Sequence, residues 1–363
     1  MTIILNMIKT LIYLGERTAM DRIHTLIAIV LAATPFLSGC NSSHADSAGD
    51  GSHELLNVSY DPTRELWKAL NEQFIADYKQ HTGVELTINQ SHAGSSNQAR
   101  SVIDGLEADV VTLAMWSDTN AIAKAGLIKE GWEDRLPNGS LPYTSTIVFV
   151  VRKGNPKQIK DWSDLVREGV QVITPNPKTS GNGKLSLLSA WGSVVLRGGS
   201  EKDAIDYITR LYGHDHLPVL ESGARAATTT FAQKGLGDVH LTWENEAYFE
   251  VRESGDELEI VYPPISIRAE PRVAVVDANV DRKHTRAAAE AYLKFLYTPA
   301  AQETIAKNYY RPSKPEILHK YSKSFQPIEL FTIQQIAPNW SEADARFFSE
   351  GGIFDQVYSP TTK

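Results

Sequence analysis

The chain has 363 residues, 42% of them hydrophobic and 22% charged, with a formal net charge of −8. That length exceeds what one compact core usually holds, so two lobes are expected of an otherwise ordinary globular protein. The acidic balance argues against a nucleic-acid partner, which a basic surface would recognise.

Residues 1–39 are expected to be a signal peptide. From Met20, MDRIHTLIAIVLAATPFLSGC has a charged start, an apolar stretch and a small-residue processing site, which makes Met20 a candidate start in place of Met1. The apolar stretch Leu26–Leu37 is too short to span a bilayer comfortably. It runs into Cys40, the only cysteine, which excludes an intramolecular disulfide. LSGC resembles the lipobox of bacterial lipoproteins, in which the cysteine receives a lipid and becomes the mature N terminus. That resemblance implies a lipid anchor at Cys40; the alternative is a free thiol behind an ordinary cleaved leader. Residues 40–53 would then be anchor and flexible tether, since NSSHADSAGDGSH is small and polar.

Glu54–Tyr60 (ELLNVSY) reads as a buried strand. The helix that follows has Asp61 as a candidate N-cap, Pro62 at its first position and Gly83 as its stop. Leu66, Leu70 and Phe74 lie on one face of it. VELTINQ (84–90) is a second strand. A glycine-serine turn, SHAGSSNQ, then opens a helix with Val102, Ile103 and Leu106 as its apolar stripe. ADVVTLA is a strand, and SDTNAIAKAG a helix with Ser117 as its cap. This alternation implies a parallel sheet covered on both faces. Tyr143–Pro156 and Glu270–Val280 read as two long strands. Between them lies a second β/α set with VQVITPNP, DVHLTWENEAYFEV and LEIVYPP. Tyr143–Arg152 and Arg272–Val280 are therefore expected to be paired crossings between two lobes. TRAAAEAYLKFLYTPAAQETIAKNYY is an alanine-rich helix pair.

TSGNGKLSLL invites a nucleotide-binding reading and fails it. A P-loop needs Ser or Thr after Gly-Lys, and here Leu185 follows Lys184. The physical content survives the failed motif. A helix N terminus exposes unpaired N–H groups, carries about half a positive charge and so attracts anions. Four strand-to-helix turns offer such starts: AGSSNQ with Ser95, TSGNGK with Ser180, ESGARAATTTF with Ala224, and LTWENEAYF after Trp243. One capped helix start says little. Four at strand ends of an α/β chain, where ligands of such sheets lie, say more.

The strings LLNVSYDPTRELW, INQSHAGSSNQA, EADVVTLA, PYTSTIVFVVRKGNPKQIKDW, VITPNPKTSG, SGARAATTTF, GDVHLTWENEA and AEAYLKFLYTPAAQE, in this order, resemble the sulfate-binding proteins of bacterial sulfate/thiosulfate ABC importers. The resemblance covers nearly all of Leu55 to Val357. It implies a periplasmic binding protein of type II, with two Rossmann-like α/β lobes, a ligand cleft between them and hinge crossing strands. Residues 54–146 and 273–315 would form the first lobe, 147–272 the second, and 316–363 a C-terminal helical segment. In that family an unhydrated sulfate is held by main-chain N–H groups, serine hydroxyls and one indole N–H. Carried over, the set is Ser95 from the first lobe, with Ser180, Gly181, Asn182, Ala224 and Trp243 from the second. Asp61 and Arg225 would stand behind them. Asn182 departs from the glycine common there, which is tolerable if only its amide is used.

The chemistry of the anion agrees with such a set. Sulfate carries no proton at neutral pH and offers acceptors only, whereas phosphate keeps a proton and rewards an acceptor in its site. Neutral amides also avoid the desolvation cost of a buried cation. Each residue has a plainer role to weigh. Asp61 would cap its helix, since a carboxylate repels a dianion. Trp243 could be core. Arg225 is expected in a supporting or surface ion pair, Lys184 in solvent, His92 in turn support, and His214 and His216 on an exposed loop without a third metal ligand. No nucleophile elbow or HExxH helix is present.

The resulting expectation is a monomeric, lipid-anchored periplasmic or extracytoplasmic receptor, without catalysis or cofactor, that gives sulfate or thiosulfate to the permease of an ABC importer. The rivals are a receptor for molybdate or phosphate, a sulfate sensor, and an ester hydrolase.

Overall fold

The computed structural model describes residues 53–358. The expected signal peptide, Cys40 and the tether up to residue 52 lie outside the described residues.

Two sheets organise the chain. The first has the order β11-β3-β1-β2. In it β1 (Glu54–Tyr60) pairs in parallel with β2 (Thr87–Ala93) and β3 (Val110–Thr112), and β11 (Val273–Val275) runs antiparallel to β3. Helix α1 (Arg64–Thr82) connects β1 to β2, α2 (Ser95–Ile103) connects β2 to β3, and α3 (Trp116–Lys124) follows β3. Leu66, Trp67, Leu70 and Phe74 of α1 pack with Leu55 and Val110 on one face of the sheet; Ala99 and Val102 of α2 pack with Val58 and Val111 on the other. Gly83 ends α1 at φ +78°, with its amide on Lys79 O, the left-handed cap that glycine adopts without a Cβ clash.

The chain reaches the second sheet through β4 (Tyr143–Thr144) and β5 (Ile147–Arg152). The sheet order is β7-β6-β8-β5-β9, with β6 (Val172–Pro175), β7 (Leu220–Glu221), β8 (Val239–Trp243) and β9 (Leu258–Val261). Here α4 (Gly181–Val195) follows β6, α5 (Glu201–Leu211) comes before β7, α6 (Ala224–Thr228) follows β7, and α7 (Glu244–Glu253) follows β8. After β10 (Ile265–Ile267) the chain returns to β11, α8 (Asp277–Lys283), α9 (Arg286–Phe295) and α10 (Pro299–Lys307), then to β12 (Arg311–Pro312), which pairs with β4.

Several expectations are corrected. Both sheets are mixed, because β11 and β5 run antiparallel to their neighbours. Each enters its sheet from the other half of the molecule, so no βαβ crossover constrains its direction. The second strand lies three residues later than its sequence pattern suggests; pairing with β1 on one side only lets the polar run Thr87–Ala93 serve as an edge. The run Tyr143–Pro156 is broken between β4 and β5, where Ser145 bridges Ala269 instead. The run Glu270–Val280 is a strand only as far as Val275. Asp277 in the first turn of α8, with Arg282 and Lys283 in its last turn, suits the dipole of a helix there. Ser117 and Asp61 do not cap: the first helix after β3 starts at Trp116, and Asp61 opens a single 3₁₀ turn, Asp61–Thr63.

The C-terminal segment is not purely helical. Its β13 (Glu329–Phe331) pairs in parallel with β10. Its helices α11 (Trp340–Phe347) and α12 (Ile353–Val357) lie on the second half, Phe347 edge-on to Trp191 and Phe354 edge-on to Tyr212.

Candidate anion-binding site

At the carboxyl ends of β1, β2, β6 and β8, the two halves close on a small chamber of about 10 Å³. That is far smaller than the pockets of about 300 Å³ and more that hold drug-sized ligands. Ser95, Ser180, Gly181, Asn182, Ala224 and Trp243 all line it, together with Asp61. Arg225 stands outside the lining.

The walls are built from helix starts. Lys184 N donates to Ser180 O as the first bond of α4, which leaves the amides of Gly181, Asn182 and Gly183 ahead of the intrahelical ladder. Ala227 N to Gly223 O plays the same part in α6, ahead of which stand the amides of Ala224, Arg225 and Ala226. In α2 the first such bond is Gln98 N to Gly94 O, which leaves the Ser95 amide open. Ser180 is the N-cap of α4, yet its side chain makes no cap hydrogen bond. The Trp243 indole is fully buried against Tyr60, ring centroids 4.9 Å apart, and its Nε1–H has no partner among the described residues. A buried, unpaired donor normally costs about 1–3 kcal/mol, so its persistence in a chamber of donors points to an acceptor ligand.

Two side chains of the expected set are held by other partners. The Ser95 hydroxyl gives its one proton to Asp118 Oδ2 at 2.5 Å and accepts the Ala114 amide at 3.0 Å. Ser95 therefore offers the chamber its main-chain N–H. The Asn182 amide group turns away as well: Nδ2 donates to Leu241 O at 3.3 Å and Oδ1 accepts from the Ser186 hydroxyl.

The halves touch through glycine. A Cβ on Gly94 would lie 2.4 Å from Thr179 O, and one on Gly181 2.3 Å from the Ala114 Cβ. Around this contact run bridging polar pairs. Lys184 was expected in solvent and is buried instead, with Nζ 3.3 Å from Asp118 Oδ1 and 3.1 Å from Asp344 Oδ1. Burial alone would lower its pKa; the two carboxylates raise it above the usual lysine value, so it stays charged. Nothing local in the sequence announces partners 66 and 160 residues away. Ser117 supports the same cluster by donating to Asp344. Arg225 of the second half joins Glu65 of the first at 2.7 Å and reaches the buried Glu246 at 3.2 Å. Asn245 donates to Pro62 O at 3.1 Å.

Asp61 lies beside the chamber with its carboxylate on Arg64, and burial raises its pKa against the pull of Arg64 and Arg225. The His92 ring lies between Ser59 and Gln90 and is pushed down to about 4, chiefly by burial, so it is a neutral turn support at pH 7. His216 is buried rather than exposed, with Nδ1 against Val170 O.

Residues 64–311 match the family described as bacterial extracellular solute-binding protein. This chain belongs to that family. It is 52% identical over 306 residues to a sulfate-binding protein of Salmonella typhimurium, covering 84% of this chain and 92% of the relative. It is 50% identical over 315 residues to a thiosulfate-binding protein of Pseudomonas aeruginosa, covering 86% and 94%. Among solved structures, the sulfate-binding protein SubI from Mycobacterium tuberculosis H37Rv superposes with a TM-score of 0.74 at 31% identity, over 82% of this chain and 99% of that one. The fold is thus the two-lobed one of periplasmic binding proteins of type II, and a family member of this kind holds its solute without transforming it.

Proposed function

We propose that this chain is an extracytoplasmic receptor that captures sulfate between its halves and delivers it to the permease of an ABC importer. The observation that carries the reading is the partnerless, fully buried Trp243 indole, in the lining of a chamber that the helix starts at Ser95, Gly181 and Ala224 also line. Gly181, Asn182, Ala224 and Ser95 contribute amides and Ser180 its hydroxyl. Asp61 contributes its amide at the start of the turn after β1, with its carboxylate held by Arg64. Donors alone suit an anion without a proton. Hydrogen bonds to a charged group contribute about 1.5–3 kcal/mol each, so several support tight binding after the cost of association. The names of the relatives from Salmonella and Mycobacterium support the same ion. Residues 54–146 with 273–315, and 147–272, are the two bodies that close. The protein acts as a monomer tethered through a lipid on Cys40.

Thiosulfate is the second reading, favoured by the Pseudomonas relative at nearly the same identity. Calorimetric titration of the anion-stripped protein with sulfate, thiosulfate, molybdate and phosphate tests both. Sulfate affinity should stay nearly flat from mildly acidic to neutral pH. Absence of heat with both sulfur oxyanions would refute the proposal.

A further inference from the structure

β8 ends at Trp243 in extended conformation, φ −62° and ψ 146°, and Glu244 begins α7 directly after it. The ligand-facing indole therefore hangs on a strand-to-helix corner, and its placement depends on how firmly that corner is held. The Glu244 side chain is fully buried. Its carboxylate accepts a two-pronged bond from Arg311, Nε to Oε2 at 2.8 Å and Nη2 to Oε1 at 2.8 Å, and a third bond from the Tyr262 hydroxyl at 3.0 Å. Its amide donates to Thr146 O at 3.0 Å.

These contacts close a circuit. Thr146 lies between β4 and β5, where the chain crosses between the halves. Arg311 lies opposite Thr144 in the β12–β4 pair beside that crossing. Arg311 also donates to Gln326 O at 3.1 Å and lies over the Phe325 ring. One guanidinium thus ties the crossing segment and the C-terminal segment to the corner that carries the indole.

An unpaired carboxylate one residue from the indole would repel a dianion and bear a heavy desolvation cost. A planar fork offsets both and fixes the carboxylate plane, which a point charge cannot do. We infer that Arg311 is the positioning residue for the anion's indole donor: through its fork on Glu244 it holds the β8–α7 corner so that Trp243 Nε1 faces the chamber. The inference rests on reading the chamber as an anion site.

A double-mutant cycle on the full chain tests it, with sulfate affinity by calorimetry for wild type, Arg311→Lys, Trp243→Phe and the pair. Each single substitution should weaken binding about tenfold or more, and the pair should be within about threefold of Trp243→Phe alone, because the indole is Arg311's route to the ligand. Penalties that multiply, or wild-type affinity in Arg311→Lys, overturn the inference. The Trp243 indole ¹⁵N–¹H resonance of the ligand-free protein, identified by its loss in Trp243→Phe, gives a readout that needs no ligand. It should move in Arg311→Lys, and a fixed resonance also overturns the inference. If wild type binds no sulfate, the anion reading fails by itself and the resonance still decides Arg311's role. Should Arg311→Lys not fold, Glu244→Gln takes its place in the same cycle with the same expected and overturning results.

Discussion

Two kinds of ionic contact join the halves, and they differ in burial. Beside the crossing strands, Glu244 and Arg311 are 0% and 14% exposed at their side chains and share two hydrogen bonds. Away from those strands, Arg225 and Glu65 are 35% and 41% exposed, while Lys184 and Asp118, the other pair that spans the halves there, are each 7% exposed. A buried pair is expensive to separate, because each partner alone is an uncompensated charge. A half-exposed pair regains water when it opens and contributes little. The contrast between Glu244–Arg311 and Arg225–Glu65 suits a molecule that pivots at one side and parts at the other: the pair at the pivot persists, while the half-exposed pair at the parting side forms and breaks with the ligand.

The largest effect should come from preventing closure on the parting side. Gly181→Ala places a methyl where the Ala114 Cβ already is. Alanine suits the first turn of α4, so the ligand-free fold should keep its melting temperature. The halves could not reach the present contact, and sulfate binding by calorimetry should be lost. Wild-type affinity in this variant would mean that binding does not need the closed contact.

Next comes a buried carboxylate behind the parting side. Burial pushes Glu246 up to about 8 from an ordinary 4.5, with Arg225 opposing and Glu250, Glu65 and Asp61 adding to the rise. Because the folded value lies above the unfolded one, its contribution to stability is complete below pH 4.5 and is lost as pH rises through 8. A shift of that size corresponds to about 5 kcal/mol at most. Urea midpoints measured between pH 5 and pH 9 should fall for wild type and fall less for Glu246→Gln. Parallel profiles would show that Arg225 keeps Glu246 ionised throughout.

Lys184→Met probes the better buried of the two spanning clusters. It leaves Asp118 facing Asp344 without a cation when the halves meet, and Asp118 already accepts the Ser95 and Ser96 hydroxyls. Sulfate affinity should fall by about 2–3 kcal/mol, with Asp118→Asn in the same chain restoring part of it. No loss would place this cluster with the weak, exposed pairs.

The chamber was legible in the sequence where its signals are local. Serine or glycine followed by an apolar run marks the starts of α2, α4 and α6, and such starts at strand ends converge by the nature of the fold. The resemblance supplied Trp243, which no periodicity distinguishes from a core tryptophan. Long-range commitments were not legible. The Ser95 hydroxyl reads as a ligand donor until Asp118, 23 residues on, is found to take its proton. Lys184 looks like the polar face of a helix start, and Arg311 carries no motif at all. The same limit explains the misread strand at Glu270–Val280, where the apolar run continues past the last residue that has a sheet partner.

The smallest effect should come from Glu65→Gln, and it is the most discriminating for the contrast between the two sides. Glutamine keeps the length and one acceptor, so only the charge opposite Arg225 is lost. Both partners are more than a third exposed, and exposed pairs contribute about 0–1 kcal/mol. Arg225 would still have Glu246, which could then ionise more readily because one neighbouring negative charge is gone. Affinity should therefore change less than about fivefold, and the change should shrink further in 0.5 M sodium chloride, where surface charges are screened. Because the pair forms only when the halves meet, the loss should appear as faster sulfate release in stopped-flow displacement, with the association rate nearly unchanged. A loss as large as that from Lys184→Met, or one insensitive to salt, would mean that Arg225 and Glu65 act as a buried clamp. The proposed division between a persistent pivot and a reversible parting side would then fail.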